Sequence, residues 1–226
     1  MTRQEKLTYL KAATDNALSK VAENVANWRE FLRFYANIYK YQFSEALQIY
    51  EQNPNVTMCG EIKHWNAIER RVHKGTYGIP ILSETDKDME IRYVFDVTNT
   101  YGEDIPEMLT LPNQYKSAVF AEIESRFRTV TPEEIQNNYD KKFKNVIEEY
   151  VRETCLNYIE GLQYEVKDSY LEELDTDNLR KHFTDTVVDS VGYIVCEKLG
   201  LEKGIYDDDT QAFQYLYAFN TKAVMD

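Results

Sequence analysis

The chain has 226 residues, 43% of them hydrophobic and 13% aromatic, enough to bury one large core or two small ones. Its 39 acidic side chains outnumber 26 basic ones, giving a formal net charge of −13. With no apolar run long enough to span a bilayer and no apolar stretch of a secretion signal at the start, the sequence excludes a membrane protein and predicts a cytoplasmic one.

From residue 5 to 51 the pattern is helical, broken into two or three segments. In "NWREFLRFYANIYKYQF", Trp28, Phe31, Leu32, Tyr35, Ile38 and Tyr39 recur at helical spacing and predict one aromatic, core-facing side. Arg29, Arg33, Asn37 and Lys40 fall on the opposite side as a basic stripe, readable either as a binding face or as ordinary solvation. "SEALQIYEQ" predicts a short helix capped at Ser44 and stopped near Asn53-Pro54.

"EIKHWNAIERR" predicts a further helix, followed by a basic turn at Gly75. "GIPIL" (78–82) and "EIRYVFDV" (90–97) are rich in β-branched and aromatic residues and predict a hairpin, with Pro80 confining its strand to an edge or a bulge. Beyond residue 101 the chain reads as helical again. "NQYKSAVFAEIESRF" follows Pro112; a long helix over 131–162 opens on the capping box Thr131, Pro132, Glu134; and "DTDNLRKHFTDTVVDSVGYIVCEKLG" is capped near Asp175 or Thr176 and closed by Gly200. The fold class is therefore α+β, predominantly helical, with helices against a small antiparallel hairpin or sheet around residues 78–97. Two regions are expected, 1–110 and an acidic helical 111–226, packed as one unit. The apolar ending "FNTKAVMD" reads as a cut within a longer protein.

Charge is unevenly spread: residues 1–100 carry 13 basic and 13 acidic side chains, and residues 101–226 carry 13 and 26. Within the neutral part, residues 63–80 hold Lys63, Arg70, Arg71 and Lys74 against Glu69 alone, so a polyanion meets less repulsion there than elsewhere.

Catalytic signatures are missing from the sequence. His64, His73 and His182 form no HExxH pair, and there is no P-loop, GxSxG elbow or GxGxxG turn, so a noncatalytic chain without cofactor or metal is expected. Cys59, Cys155 and Cys196 are odd in number and far apart; they read as buried thiols rather than disulfide partners or zinc ligands.

A binding reading uses more of the residues. Single-strand recognition combines cations along the phosphates with aromatic faces for the bases, and residues 63–78 supply Lys63, Arg70, Arg71, His73 and Lys74 for the first, Trp65 and Tyr77 for the second. Gly75 and Gly78 permit close backbone approach or simply satisfy a turn. Trp65, in its apolar-helix context, reads more readily as a core residue than as a stacking platform, and His73 also reads as a turn residue without a role.

The order of the segments is also informative. "Y.F…L.IY.Q.P..T", a W-N helix and "R.V..G..GI.L" leading into "YVFDV..T" follow one another here, and "SYLEELDTDNL", "GYIVCEKLGLE" and "FNTKAV" come later. This succession, over roughly residues 25–226, resembles the ArdC-like N-terminal region of large mobile-element proteins of Gram-positive bacteria, encoded by conjugative and phage-like elements and carrying helicase and DNA-methylase-like modules downstream. The resemblance implies single-stranded DNA binding, through shared positions Tyr41, Phe43, Gln52, Pro54, Trp65, Arg71, Gly75, Gly78 and Ile79. The peptidase motif of antirestriction relatives is absent, so no peptidase activity follows, and Thr76 and Tyr77 stand where relatives tend to carry lysines. An alternative expectation is an acidic protein-interaction or antirestriction scaffold that contacts restriction or conjugation proteins, or other domains of the parent protein, or mimics DNA charge. Residues 207–209 would contribute to that acidic surface.

Overall fold

The amino-terminal apolar periodicity produces three helices, α1 (Arg3–Val21), α2 (Val25–Ile38) and α3 (Phe43–Gln52). The computed structural model describes residues 2–84, 89–105, 111–127, 139–154, 158, 161–162, 166, 170–201, 203–204, 206 and 212–216. The chain divides into two compact units, Met1–Val21 with Arg33–Glu107, and Ala22–Leu32 with Met108–Met225. Helix α2 is shared: its residues through Leu32 belong to the second unit and those from Arg33 to the first.

In the first unit α3 starts earlier than its serine implies. Gln42 is the N-cap, its N–H donating to Glu45 Oε2 at 3.2 Å, and Ser44 lies inside the helix. After α3 come β1 (Cys59–Gly60), α4 (Ile62–Ala67), β2 (Arg70–Val72), β3 (Ile79–Glu84), β4 (Met89–Asp96) and β5 (Thr100–Gly102). β3 and β4 form the expected antiparallel hairpin, with Ile79 opposite Val94 and Ile81 opposite Arg92, and β1 joins the other side of β4 to give the order β1-β4-β3. Pro80 thus sits on an edge strand, where its missing N–H breaks no ladder.

Side chains of α3 close that edge. Gln48 Oε1 accepts from the Leu82 N–H at 2.6 Å, its Nε2 donates to the Leu82 carbonyl at 3.3 Å, and Gln52 Nε2 donates to the Pro80 carbonyl at 2.9 Å. One glutamine amide thereby stands in for a strand partner, satisfying backbone groups that would otherwise template pairing with another chain. α1 and α3 pack together over β3, burying Leu10, Ala17, Ala46, Ile49 and Ile81 completely.

The second unit contains α5 (Asn113–Phe127), α6 (Tyr139–Thr154) and α7 (Thr176–Leu199), with α6 contacting both of the others. α5 begins directly after Pro112, as its sequence predicts. α7 is capped by Asp175, whose Oδ1 accepts from the N–H groups of Asp177 at 3.1 Å and Asn178 at 3.0 Å, and it ends at Gly200 in the left-handed conformation, φ 65°. Its buried face carries Leu179, Val188, Tyr193 and Cys196. Within the same unit Trp28 Nε1 donates to Ser190 Oγ at 3.0 Å, and the buried Asp189 accepts from Lys144 Nζ at 2.7 Å and the Phe213 N–H at 3.2 Å. The capping box at Thr131, Pro132 and Glu134, Cys155, and residues 207–209 lie outside the described residues. No helix among the described residues is long and apolar enough to cross a membrane.

Candidate nucleic-acid interface

The basic stretch is not the end of a helix. α4 stops at Ala67, Glu69 takes a left-handed φ of 60°, and the chain continues as β2, which pairs antiparallel with β5: Arg70 opposite Gly102, Arg71 opposite Tyr101, Val72 opposite Thr100. The His73 N–H extends the ladder to the Asn99 carbonyl at 2.9 Å. Gly102 has φ 131°, and a Cβ there would overlap the Glu69 carbonyl, so only glycine lets β5 close against that reversal.

Strand alternation then decides the fate of each cation. Arg70 points inward and is only 8% exposed: Nε donates to Thr100 Oγ1 at 2.9 Å, Nη2 to the Thr100 carbonyl at 3.1 Å, and Nη1 to the Glu103 carbonyl. It fastens β2 to β5 and is not available to phosphate. Arg71 points outward beside Tyr101, which is 54% exposed; Arg71 Nη1 donates to Asn66 Oδ1 at 2.7 Å. The His73 ring lies 5.0 Å from the Tyr101 ring, and Lys74 is exposed in the following turn, where Gly75 takes φ 88°. Tyr77 is 95% exposed. The ribbon is polar along its length: Glu69 and Glu103 flank the Gly102 end, while His73 and Lys74 lie at the other.

Three further residues part from their expected roles. Trp65 is 2% exposed and donates from Nε1 to the Phe95 carbonyl at 3.0 Å, so it is an interior side chain and not an exposed stacking platform. Arg29 is half-buried in the second unit, donating from Nη2 to the Tyr206 carbonyl at 2.6 Å with its guanidinium 5.6 Å from the Phe213 ring centre. Because α2 ends at Ile38, Lys40 stands beyond the helix; the stripe Arg29, Arg33, Lys40 is therefore not one helical face, although Arg33 and Lys40 are exposed. Lys63 is exposed but paired with Glu61 at 3.2 Å. Tyr101, absent from the predicted site, enters it because β5 pairs with a strand about thirty residues earlier, a contact with no local sequence signal.

A pocket of about 550 Å³ opens in the first unit. Trp65, Met58, Ala67 and Ile68 supply apolar wall, and Tyr41, Cys59, Glu45 and Arg92 its polar groups. Arg92 is fully engaged, its Nη2 2.5 Å from Glu45 Oε1, its Nη1 3.0 Å from Glu61 Oε1 and its Nε donating to Ser83 Oγ at 2.6 Å. Burial opposes the charge on Arg92, but the two carboxylates outweigh it and raise the guanidinium's pKa. Burial would likewise raise the Glu61 carboxyl; Lys63 and Arg92 override it and hold the group below the usual range. Burial pushes the half-buried Cys59 thiol up to about 11, with Tyr41 opposing and Asp96 adding to the rise. Burial and then Cys59 also drive the Tyr41 hydroxyl upward, so both groups are neutral near pH 7. Among the described residues no group of three or more His, Cys, Asp or Glu is placed to hold a metal ion.

No protein-family model, curated protein or solved structure matches the chain.

Proposed function

We propose that the chain is a noncatalytic module that binds nucleic acid, single-stranded DNA first, on the outward face of the β2–β5 ribbon and the turn that follows. The observation that carries this reading is the pairing of Arg71 with Tyr101 on one exposed strand face, with His73 against the Tyr101 ring. Lys74 and the 95% exposed Tyr77 continue the same alternation of cation and aromatic into the turn. Cations that track phosphate beside aromatic faces that stack bases are what sequence-tolerant strand binding requires. The ArdC-like resemblance supports the same role, in the cytoplasm, within a mobile-element protein whose helicase and methylase-like modules would lie elsewhere.

The test is anisotropy of a labelled oligothymidylate at low and moderate salt. Binding is expected at low salt, and Arg71→Ala with Lys74→Ala should weaken it across sequences and flatten the salt slope by about 1.4, two phosphate contacts' worth on a single strand. Absence of binding at low salt overturns the proposal.

A further inference from the structure

The cations of residues 63–78 are not held alike. Lys63 is tied to the Glu61 carboxylate at 3.2 Å, an ion pair that cancels its charge toward a polyanion. Arg71 is held by neutral oxygens instead: its Nη1 donates to Asn66 Oδ1 at 2.7 Å and to the Arg70 carbonyl at 3.4 Å. An amide oxygen orients a guanidinium without neutralising it. Among the described residues Arg71 Nε and Nη2 have no partner, and these two donors share the side edge of the guanidinium plane. That edge is a fork whose spacing matches two oxygens of one phosphate.

Asn66 reaches Arg71 from a fixed backbone. Its own carbonyl accepts from the N–H of the left-handed Glu69 at 3.2 Å, and its neighbour Trp65 anchors α4 through the 3.0 Å bond to the Phe95 carbonyl. The side chains of Asn66 and Arg71 are both exposed, so nothing but this bond and the Arg70 carbonyl restrains the guanidinium. A long exposed side chain that is already oriented loses less rotamer freedom on binding.

We propose that Asn66 is the positioning residue of the β2–β5 ribbon: its amide holds Arg71 so that the Nε and Nη2 edge meets one phosphate of a strand whose base stacks on Tyr101. This assignment rests on the nucleic-acid reading of the ribbon and names the group that prepares it.

Anisotropy of a labelled oligothymidylate, titrated at several salt concentrations, tests it. Asn66→Ala is expected to weaken binding about fivefold at every salt concentration, because Arg71 must then be immobilised on binding. The salt slope should stay unchanged, since no cation is lost, whereas Arg71→Ala should flatten it by about 0.7. In the Arg71→Ala background Asn66→Ala should have no further effect. Asn66→Asp accepts the same hydrogen bond but pairs the charge, so it should flatten the slope as Arg71→Ala does. Thermal unfolding should be the same in Asn66→Ala as in the unaltered chain, because the backbone bonds of Asn66 remain. Unchanged binding by Asn66→Ala, an equal loss with Arg71 already removed, or full affinity and slope in Asn66→Asp overturns the positioning role. If binding in those cases still depends on Arg71 and Lys74, the ribbon reading stands; no binding by the unaltered chain at low salt overturns both.

Discussion

The two units spend their polar side chains differently. In the first, Gln48 and Gln52 seal a sheet edge, while Arg92, Glu45 and Glu61 form a network that reaches the wall of an open pocket. In the second, Asp189 and Arg29 tie backbone to helix: Asp189 accepts from the Phe213 N–H, and Arg29 donates to the Tyr206 carbonyl. The contrast shows that counting cations does not locate a binding surface. Arg29 and Arg70 are invested in holding the chain, and Arg71 and Lys74 are left facing outward because strand alternation and a turn put them there.

The largest effect is expected at Trp65 in the first unit. Trp65→Ala should cost about 4 kcal/mol, a cavity plus an orphaned Phe95 carbonyl, read as loss of amide protection in β3 and β4 by hydrogen exchange. Unchanged protection would mean that the indole does not organise the first unit. A smaller loss, about 3 kcal/mol, is expected from Arg92→Ala, which strands the 5% exposed Glu45 side chain without its cation; urea denaturation measures it.

In the second unit the sensitive point is a glycine inside a helix. A Cβ at Gly192 would overlap the ring and hydroxyl of the buried Tyr206, so Gly192→Ala should destabilise by about 2 kcal/mol despite alanine's better helix propensity. A stabilised variant in thermal unfolding would refute that contact. The smallest effect belongs to the exposed Asp175 cap. Bonds from the Asn178 backbone and side chain, then from Asp177, hold its carboxyl below the usual range. A depressed carboxylate contributes stability above its unfolded pKa and loses it as pH falls through the folded value. Exchange protection in the first turn of α7 should therefore fade on acidification, and Asp175→Ala should abolish that dependence.

What could be read from the residues, and what could not, follows the range of the interactions. The β3–β4 hairpin, α5 after Pro112, and α7 between Asp175 and Gly200 were legible because alternation, proline, cap and left-handed glycine act within a few positions. The start of β2 looks helical in sequence because "ERR" continues a helical pattern locally, and its strand character comes from Thr100–Gly102, far along the chain. Glu45 and Arg92 carried no signal of partnership across 47 residues.

The sequence by itself determined the α+β class, the neutral first region and the acidic second, and the concentration of cations and aromatics over residues 63–78. Only the tertiary structure decided that Trp65 and Arg70 turn inward, that Tyr101 joins Arg71 outside, and that a pocket lies behind α4. Residue type sets what a side chain can do, but which face it occupies depends on strand register and long-range pairing, and neither is written in local composition.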